Sequence, residues 1–436
     1  MAFEVNSVAV VGGGTMGSGI AAACAAAGRK VLLLETDEAA AARALGRALA
    51  TAQSPEDEAK LKAFIRTGTL EANLADLAQC DWICEAIAED LAAKRALFTK
   101  IEAARREGSV LSTNTSGIPL HEITEGLPQR LRRDIVVTHF FNPVRVMRLL
   151  EIIAGADTRP EVRDGLARFC RDELGKGVVI GKDTVNFIGN RIGCFWMLAG
   201  LHKAKPYLAA GLSQERIDAL MGAPVGLPST GLYGLIDLIG LDVMDLVGKN
   251  LAANLQQGDA GLAYAHFPAA EQALLDRGQL GRKTGGGFYR VLKQADGSKV
   301  KEVYDITRGD WRRAEAVQLE APHRDIATLL FADDAEGRFA WDLMGSALFY
   351  AADLVPEISD DIVGVDRAMR WGFAWKKGPF ELIDAIGPAK VIDRLEREKR
   401  PLPHMLAVLK AAGAASFYRG DDYLGTDGRY HEMPAE

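Results

Sequence analysis

Cysteine is scarce in this chain: Cys24, Cys80, Cys84, Cys170 and Cys194 are the five among 436 residues. They form neither a CxxC pair nor a His/Cys zinc spacing, which excludes a disulfide framework and a zinc ribbon and predicts core thiols. Long apolar runs are missing too. None approaches the roughly eighteen residues of a membrane helix, and Met1-Ala2-Phe3-Glu4 lacks the basic start of a signal peptide, so a cytoplasmic protein without a membrane span is expected. Nor is there a basic tract. The 52 Lys+Arg against 59 Asp+Glu leave a net charge of -7, which argues against a nucleic-acid partner. Proline is sparse at 16 residues while hydrophobic residues reach 48%, so the chain has the apolar content to offset its folding entropy and is not disordered.

What is present divides by rhythm. From Ser7 to about Gly181, short aliphatic runs alternate with longer Ala-rich amphipathic stretches, the pattern of strand and helix in a doubly wound parallel sheet. Strands are predicted at 7–11, 30–34, 82–85, 110–113, 135–140 and 149–153. After Asp183 strand signals vanish, and helical stretches follow, separated by turns such as Gly226-Leu227-Pro228. The polar stretch from Lys293 to Gly309, with Gln294-Ala295-Asp296-Gly297 inside it, predicts a turn-containing linker, and helical pattern resumes near Arg338. Leu235-Ile236-Asp237-Leu238-Ile239-Gly240 returns as Leu382-Ile383-Asp384-Ala385-Ile386-Gly387, and Ile217-Asp218 as Val365-Asp366, so the helical part reads as an internal duplication. The expected architecture is an α/β domain over 1–185, an all-α domain over 186–292, a linker over 293–330 and a second all-α copy over 331–436.

Val8-Ala9-Val10-Val11 runs into Gly12-Gly13-Gly14-Thr15-Met16-Gly17 and then Ile20-Ala21-Ala22-Ala23, which is strand, G-x-G-x-x-G turn and helix. Gly12, Gly14 and Gly17 let backbone N–H groups and the helix N-terminus approach a pyrophosphate, the Rossmann-type arrangement. Leu32-Leu33-Leu34-Glu35 supplies a second strand ending in an acid. Glu35 suits both ribose hydroxyls and repels a 2′-phosphate, so NAD is expected over NADP. An ordinary strand-end acid is the plainer reading of Glu35, as turn geometry is for Thr15.

Thr138-His139-Phe140-Phe141-Asn142-Pro143 is followed by Leu149-Leu150-Glu151-Ile152-Ile153, with His139 at one strand's end and Glu151 in the next apolar run. A carboxylate so placed orients an imidazole and stabilises its protonated form, the wiring of a general base. Taken from the residues alone, a core histidine and a buried acid remain an open alternative.

The glycine turn with Met16, Ile83-Cys84-Glu85-Ala86-Ile87-Ala88-Glu89, Thr113-Asn114-Thr115-Ser116, His139-Phe140-Phe141-Asn142-Pro143 and Phe187-Ile188-Gly189-Asn190-Arg191 together resemble the L-3-hydroxyacyl-CoA dehydrogenases. The resemblance covers roughly 5 to 290, including Lys283-Thr284-Gly285-Gly286-Gly287-Phe288-Tyr289, and Trp341 to Gly387 resembles the second helical copy of longer members. It implies His139 as the base and Glu151 as its partner. Ser116 and Asn190 are implied to hydrogen-bond the reacting oxygen and to help place the nicotinamide. Gly12, Gly14, Thr15, Met16, Gly17, Glu35, Glu89, Lys94, Asn142 and Lys283 are implied cofactor contacts. For Glu89 and Lys94 a solvated helix face, for Asn190 an N-cap, and for Ser116 a loop serine are the alternatives.

The implied activity is NAD-dependent oxidation of a (3S)-3-hydroxyacyl-CoA in fatty-acid β-oxidation. The same superfamily includes dehydrogenases of β-hydroxy acids or sugar acids without CoA, and an idle NAD-binding scaffold is the reading from another class. Longer members imply an enoyl-CoA hydratase or thiolase partner. Because shorter members pair through the helical domain, a fused second copy implies a monomer or weak dimer. Between Ala42 and Arg66 the basic residues Arg43, Arg47, Lys60, Lys62 and Arg66 stand where CoA phosphates would ask for charge, but this arm departs from the family's length. No CoA contact is assigned to it.

Overall fold

A computed structural model describes residues 4–436. The chain divides into two compact units, the first ending at Ile188 and including 357–360 and 435–436, the second comprising Gly189–Pro356 and Asp361–Pro434.

The first unit is built on eight strands: β1 Ser7–Val11, β2 Lys30–Glu35, β3 Ile65–Thr69, β4 Trp82–Glu85, β5 Val110–Thr113, β6 Ile135–Phe140, β7 Leu149–Ala154 and β8 Gly177–Gly181. Their spatial order is β3-β2-β1-β4-β5-β6-β7-β8. All neighbours are parallel except β6 and β7. Central strands such as β4 and β6 are buried along their whole length, as expected of strands covered by helices on both faces. The two faces form separate apolar layers, one around Val8, Val10, Ile20 and Trp82, the other around Ala9, Ile83, Phe98 and Leu111. Because β1 lies between β2 and β4, the strand order reverses there, and the crevice beyond the ends of β1 and β4 is the topological switch point where ligands bind in such sheets.

Two strands were not predicted. β3 reads Ile-Arg-Thr-Gly-Thr and lies at the sheet edge, where one apolar residue suffices. β8 is Gly-Val-Val-Ile-Gly, whose flanking glycines read as turn punctuation. The five cysteines are all buried free thiols, and burial pushes Cys84 and Cys194 up to about 12, so they pack as small hydrophobes.

The second unit carries helices, but the expectation of all-α structure is corrected. Tyr289–Lys293, Lys299–Asp305 and Asp310–Arg313 form a three-stranded antiparallel sheet, and Tyr418–Arg419, Asp422–Leu424 and Tyr430–Glu432 form another. The first sheet occupies part of the expected linker 293–330. Val303 and Tyr289 are buried while Val291 and Leu292 are exposed, and polar contacts link its strands. Arg290 pairs with Glu302 at 2.6 Å and lies over the Trp311 ring at 4.1 Å, while Lys301 lies over Tyr289 at 4.0 Å. Hydrophobic periodicity does not register such pairs.

Two hydrogen-bond clusters organise this unit. Asp218 accepts from the backbone N–H groups of Tyr233 and Gly234 and from the Tyr289 hydroxyl, and Asp237 accepts from Phe288 and Tyr289 N–H. Asp366 accepts from Phe380 and Glu381 N–H and from the Tyr418 hydroxyl, and Asp384 accepts from Phe417 and Tyr418 N–H. Among the described residues no helix is long and apolar enough to cross a membrane.

Candidate active site

The glycine turn closes tightly at the end of β1. Gly12 has a φ of +98°, and a Cβ there would lie 2.6 Å from the Ala86 carbonyl oxygen, so no L side chain fits. Gly17 faces back on the turn, where a Cβ would meet the Gly12 oxygen at 1.8 Å. A Cβ on Gly14 would meet nothing within 4 Å, so the turn is open on the side from which a ligand's phosphates approach the backbone. Helix Thr15–Ala26 begins there with no capping side chain, whereas Asp37 caps Glu38–Leu49 and Asp90 caps Leu91–Ala104. The uncapped N–H groups and the positive end of the helix dipole suit a pyrophosphate.

Beside this turn lies a cleft of about 220 Å³ lined by Gly12, Glu35, Thr36, Leu70, Ile87 and Lys100 among others. Glu35 closes one side, its Oε1 accepting from Gly13 N–H at 2.8 Å, and it remains part-exposed with lone pairs left for ribose hydroxyls. The residues present therefore fit an adenosine diphosphate moiety.

The next layer sits at the ends of β4 and β5. Lys94, in the first turn of Leu91–Ala104, is 1% exposed and pairs with Glu85 at 2.7 Å and Glu89 at 3.3 Å. A solvated helix face is thus the wrong reading of this residue. Glu85 is fully buried, and its two oxygens take Lys94, the Ile87 N–H and the Thr113 hydroxyl. Glu89 Oε1 accepts from the Thr115 hydroxyl and from Ser116 and Gly117 N–H at 2.5, 2.9 and 3.1 Å. Burial pushes the Glu89 carboxyl up, but Lys94 and these donors outweigh it and hold the group below the ordinary glutamate value. The network fixes the loop bearing Ser116, whose side chain is exposed. Glu85 and Thr115 were not singled out from sequence, although an acid closing a buried strand asks for a buried cation.

β6 and β7 place His139 and Glu151 directly opposite in antiparallel register, on one face of the sheet. His139 Nδ1 lies 2.6 Å from Glu151 Oε2, and the two side chains are 4% and 0% exposed. With the carboxylate accepting from Nδ1–H, a neutral imidazole has its lone pair on Nε2. Glu151 Oε1 accepts from Ile188 N–H at 3.2 Å. The His139 ring lies between Phe141, at 4.5 Å, and Phe187, at 5.7 Å. Asn186 and Phe187 have φ values of 61° and 51°, a left-handed turn unusual for an aromatic residue, and it sets Phe187 against the imidazole. Asn114 Oδ1 accepts from Phe140 N–H at 3.0 Å, tying the end of β5 to the residue after His139.

The remaining assignments are distributed. Asn142 is exposed next to the cis peptide Asn142–Pro143. Thr15 and Met16 lie in the first turn after Gly14. Asn190 belongs to the second unit, in the first turn of helix Gly189–Ala209. Lys283 is in the second unit too, paired with Asp242 at 2.5 Å. The basic residues of the 42–66 arm are largely engaged. Arg47 donates to Gly13 O, Lys60 to Ala26 O, Lys62 pairs with Glu58 and Arg66 with Asp76.

Residues 7–184 match the family model described as 3-hydroxyacyl-CoA dehydrogenase, NAD binding domain, and residues 187–291 match that of the same family's C-terminal domain. A probable 3-hydroxyacyl-CoA dehydrogenase of Bacillus subtilis (strain 168) is 33% identical over 95% of this chain and 55% of its own length. A putative fatty acid oxidation complex trifunctional enzyme of Rickettsia felis is 36% identical over 92% and 56%. The chain thus spans about half the length of these curated relatives. The crystal structure of 3-hydroxybutyryl-CoA dehydrogenase from Escherichia coli K12 shares the fold, with a TM-score of 0.69 at 24% identity over 91% of this chain and 94% of that one.

Proposed function

The chain belongs to the 3-hydroxyacyl-CoA dehydrogenase family, and from that premise we propose that it oxidises a (3S)-3-hydroxyacyl-CoA to the 3-oxoacyl-CoA in fatty-acid β-oxidation. The observation that carries this reading is the buried His139–Glu151 pair. His139 Nε2 takes the proton of the substrate's 3-hydroxyl, and Glu151 holds the imidazole in the productive tautomer and stabilises the imidazolium. Bound NAD+ supplies the acceptor for the hydride from C3. Gly12, Gly14, Thr15, Met16 and Gly17 would hold its pyrophosphate and Glu35 its adenosine ribose, with Glu89, Lys94, Asn142 and Lys283 assigned to the rest of it. Ser116 and Asn190 are assigned to the substrate oxygen as its charge develops.

We read the second unit as two tandem copies of one helical domain. The recurrence of the Asp218/Asp237/Tyr289 contacts at Asp366/Asp384/Tyr418 supports that reading. A fused copy would occupy the surface that a second subunit covers in shorter family members, leaving this chain a monomer or weak dimer. The trifunctional relative supports a hydratase or thiolase as the functional partner. The second reading is a 3-hydroxy acid substrate without CoA.

Formation of NADH, followed by absorbance with 3-hydroxybutyryl-CoA, a long-chain homologue and free 3-hydroxybutyrate, separates these. Turnover of the CoA esters supports the first reading, turnover of the free acid alone the second, and NAD binding without any turnover an idle scaffold.

A further inference from the structure

The residue after Asn190 is tied to the C-terminal half of its own unit. Arg191 is 3% exposed, and its guanidinium is shared between Asp259 and the hydroxyl of Tyr350, the latter 2.5 Å from Nε. Tyr350 donates in turn to Asp259 Oδ1 at 2.9 Å, closing a three-membered buried ring of contacts. One turn further along helix Gly189–Ala209, the Phe195 ring stacks on Tyr350 with centroids 4.0 Å apart and planes at 19°. At Gly193 the approach is closer still, because a Cβ there would lie 2.2 Å from the Phe373 ring. Tyr350 and Phe373, both from the C-terminal half of the unit, therefore grip the opening turns of the helix that begins with Gly189 and Asn190.

We propose that Tyr350 is a positioning residue for the reaction: through Arg191 and Asp259 it fixes the first turn of helix Gly189–Ala209 and with it the carboxamide of Asn190. The C-terminal half of the unit would then serve the chemistry while contributing no group to it. The proposal rests on the reading of Asn190 given above.

The physical logic is that of a forked cation. A guanidinium held by a carboxylate alone can pivot about that contact, and a second acceptor on its Nε edge removes the freedom. Misplacement of a hydrogen-bond donor by a fraction of an ångström is felt in the transition state before it is felt in ground-state binding. Tyr350→Phe keeps the ring stack on Phe195 and removes only the hydroxyl.

The test is a double-mutant cycle on the full chain with Tyr350→Phe and Asn190→Ala, reading kcat, KM for NAD+ and the melting midpoint. The expected result is a fall in kcat of about tenfold for Tyr350→Phe with KM for NAD+ unchanged, and no further fall when it is added to Asn190→Ala. A purely structural role would instead move the melting midpoint and leave the kcat losses multiplicative. The proposal is overturned if Tyr350→Phe keeps kcat within about twofold of the parent, or if the two losses multiply. Should Asn190→Ala itself leave kcat unchanged, the reading of Asn190 fails and the proposal with it. An impaired Asn190→Ala beside an unimpaired Tyr350→Phe sinks the proposal alone. Asp259→Asn, which keeps the side chain's shape, gives the same coupling with Asn190→Ala if the ring of contacts acts as a whole.

Discussion

In the first half of the helical unit, Asp218 gathers two backbone N–H groups and the Tyr289 hydroxyl, and in the second half Asp366 gathers two backbone N–H groups and the Tyr418 hydroxyl. The helices they serve differ. The first half opens its long helix with Gly189-Asn190-Arg191, whereas the stretch Arg338-Phe339-Ala340-Trp341-Asp342 offers no amide and passes into a wide π turn at Trp341–Gly345. At either place the buried carboxylate satisfies three donors, and removing it strands all three. An amide aimed at the substrate oxygen, the role proposed for Asn190, is needed only where a substrate comes. The comparison sets residues that folding requires apart from the one to which chemistry is assigned.

The largest effect should come from breaking the shared scaffold. Asp218→Ala and Asp366→Ala each leave three donors without an acceptor, and each should cost about 3 kcal/mol or more in urea unfolding. A silent result at one of them would mean that the halves are not equivalent. Next in size, Asn190→Ala should lower kcat roughly a hundredfold, while Arg338→Ala, at the place that the proposed duplication pairs with Asn190, should change it less than about twofold. Equal losses would dissolve the distinction between the halves.

The remaining effect is in pH dependence. Burial raises the Asp218 carboxyl to about 7 and that of Asp237 to about 6, although the hydrogen bonds each accepts pull the other way. Folded-state values above the ordinary 3.8 mean that the native state keeps a proton that the unfolded chain releases. Their contribution to stability is therefore complete below about pH 4, declines as pH rises through about 6 to 7, and is gone above that. Denaturant midpoints measured from pH 4 to 8 for the parent and for Asp218→Asn should differ in slope over this window. Parallel curves would show that Asp218 stays ionised throughout.

Much of the first unit was legible because buried parallel strands announce themselves. Six of its eight strands were placed from apolar runs, and the missing two are an edge strand with a single buried aliphatic and a short strand between glycines. Most of the sheet at 289–313, from residue 293 on, was read as linker because the ionic and cation–π contacts between its strands are invisible to hydrophobic period. At the site, the spacing of His139 and Glu151 around one connection pointed to their pairing, and the register bears it out. Lys94 was harder. It was expected as a cofactor contact, with an exposed helix face as the alternative, and the fully buried Glu85 beneath it explains why it turns inward. Long-range polar contacts between residues that look solvated are what a linear reading cannot order.

The account turns on His139 as the base. The most direct measurement is NADH formation from 3-hydroxybutyryl-CoA by His139→Ala beside the parent, at saturating NAD+ and with cofactor binding checked separately. A loss of about a thousandfold in kcat with NAD+ binding retained is the predicted result. A variant within about tenfold of the parent would contradict the account, because the proton would then leave by another route and the buried pair with Glu151 would be structural alone.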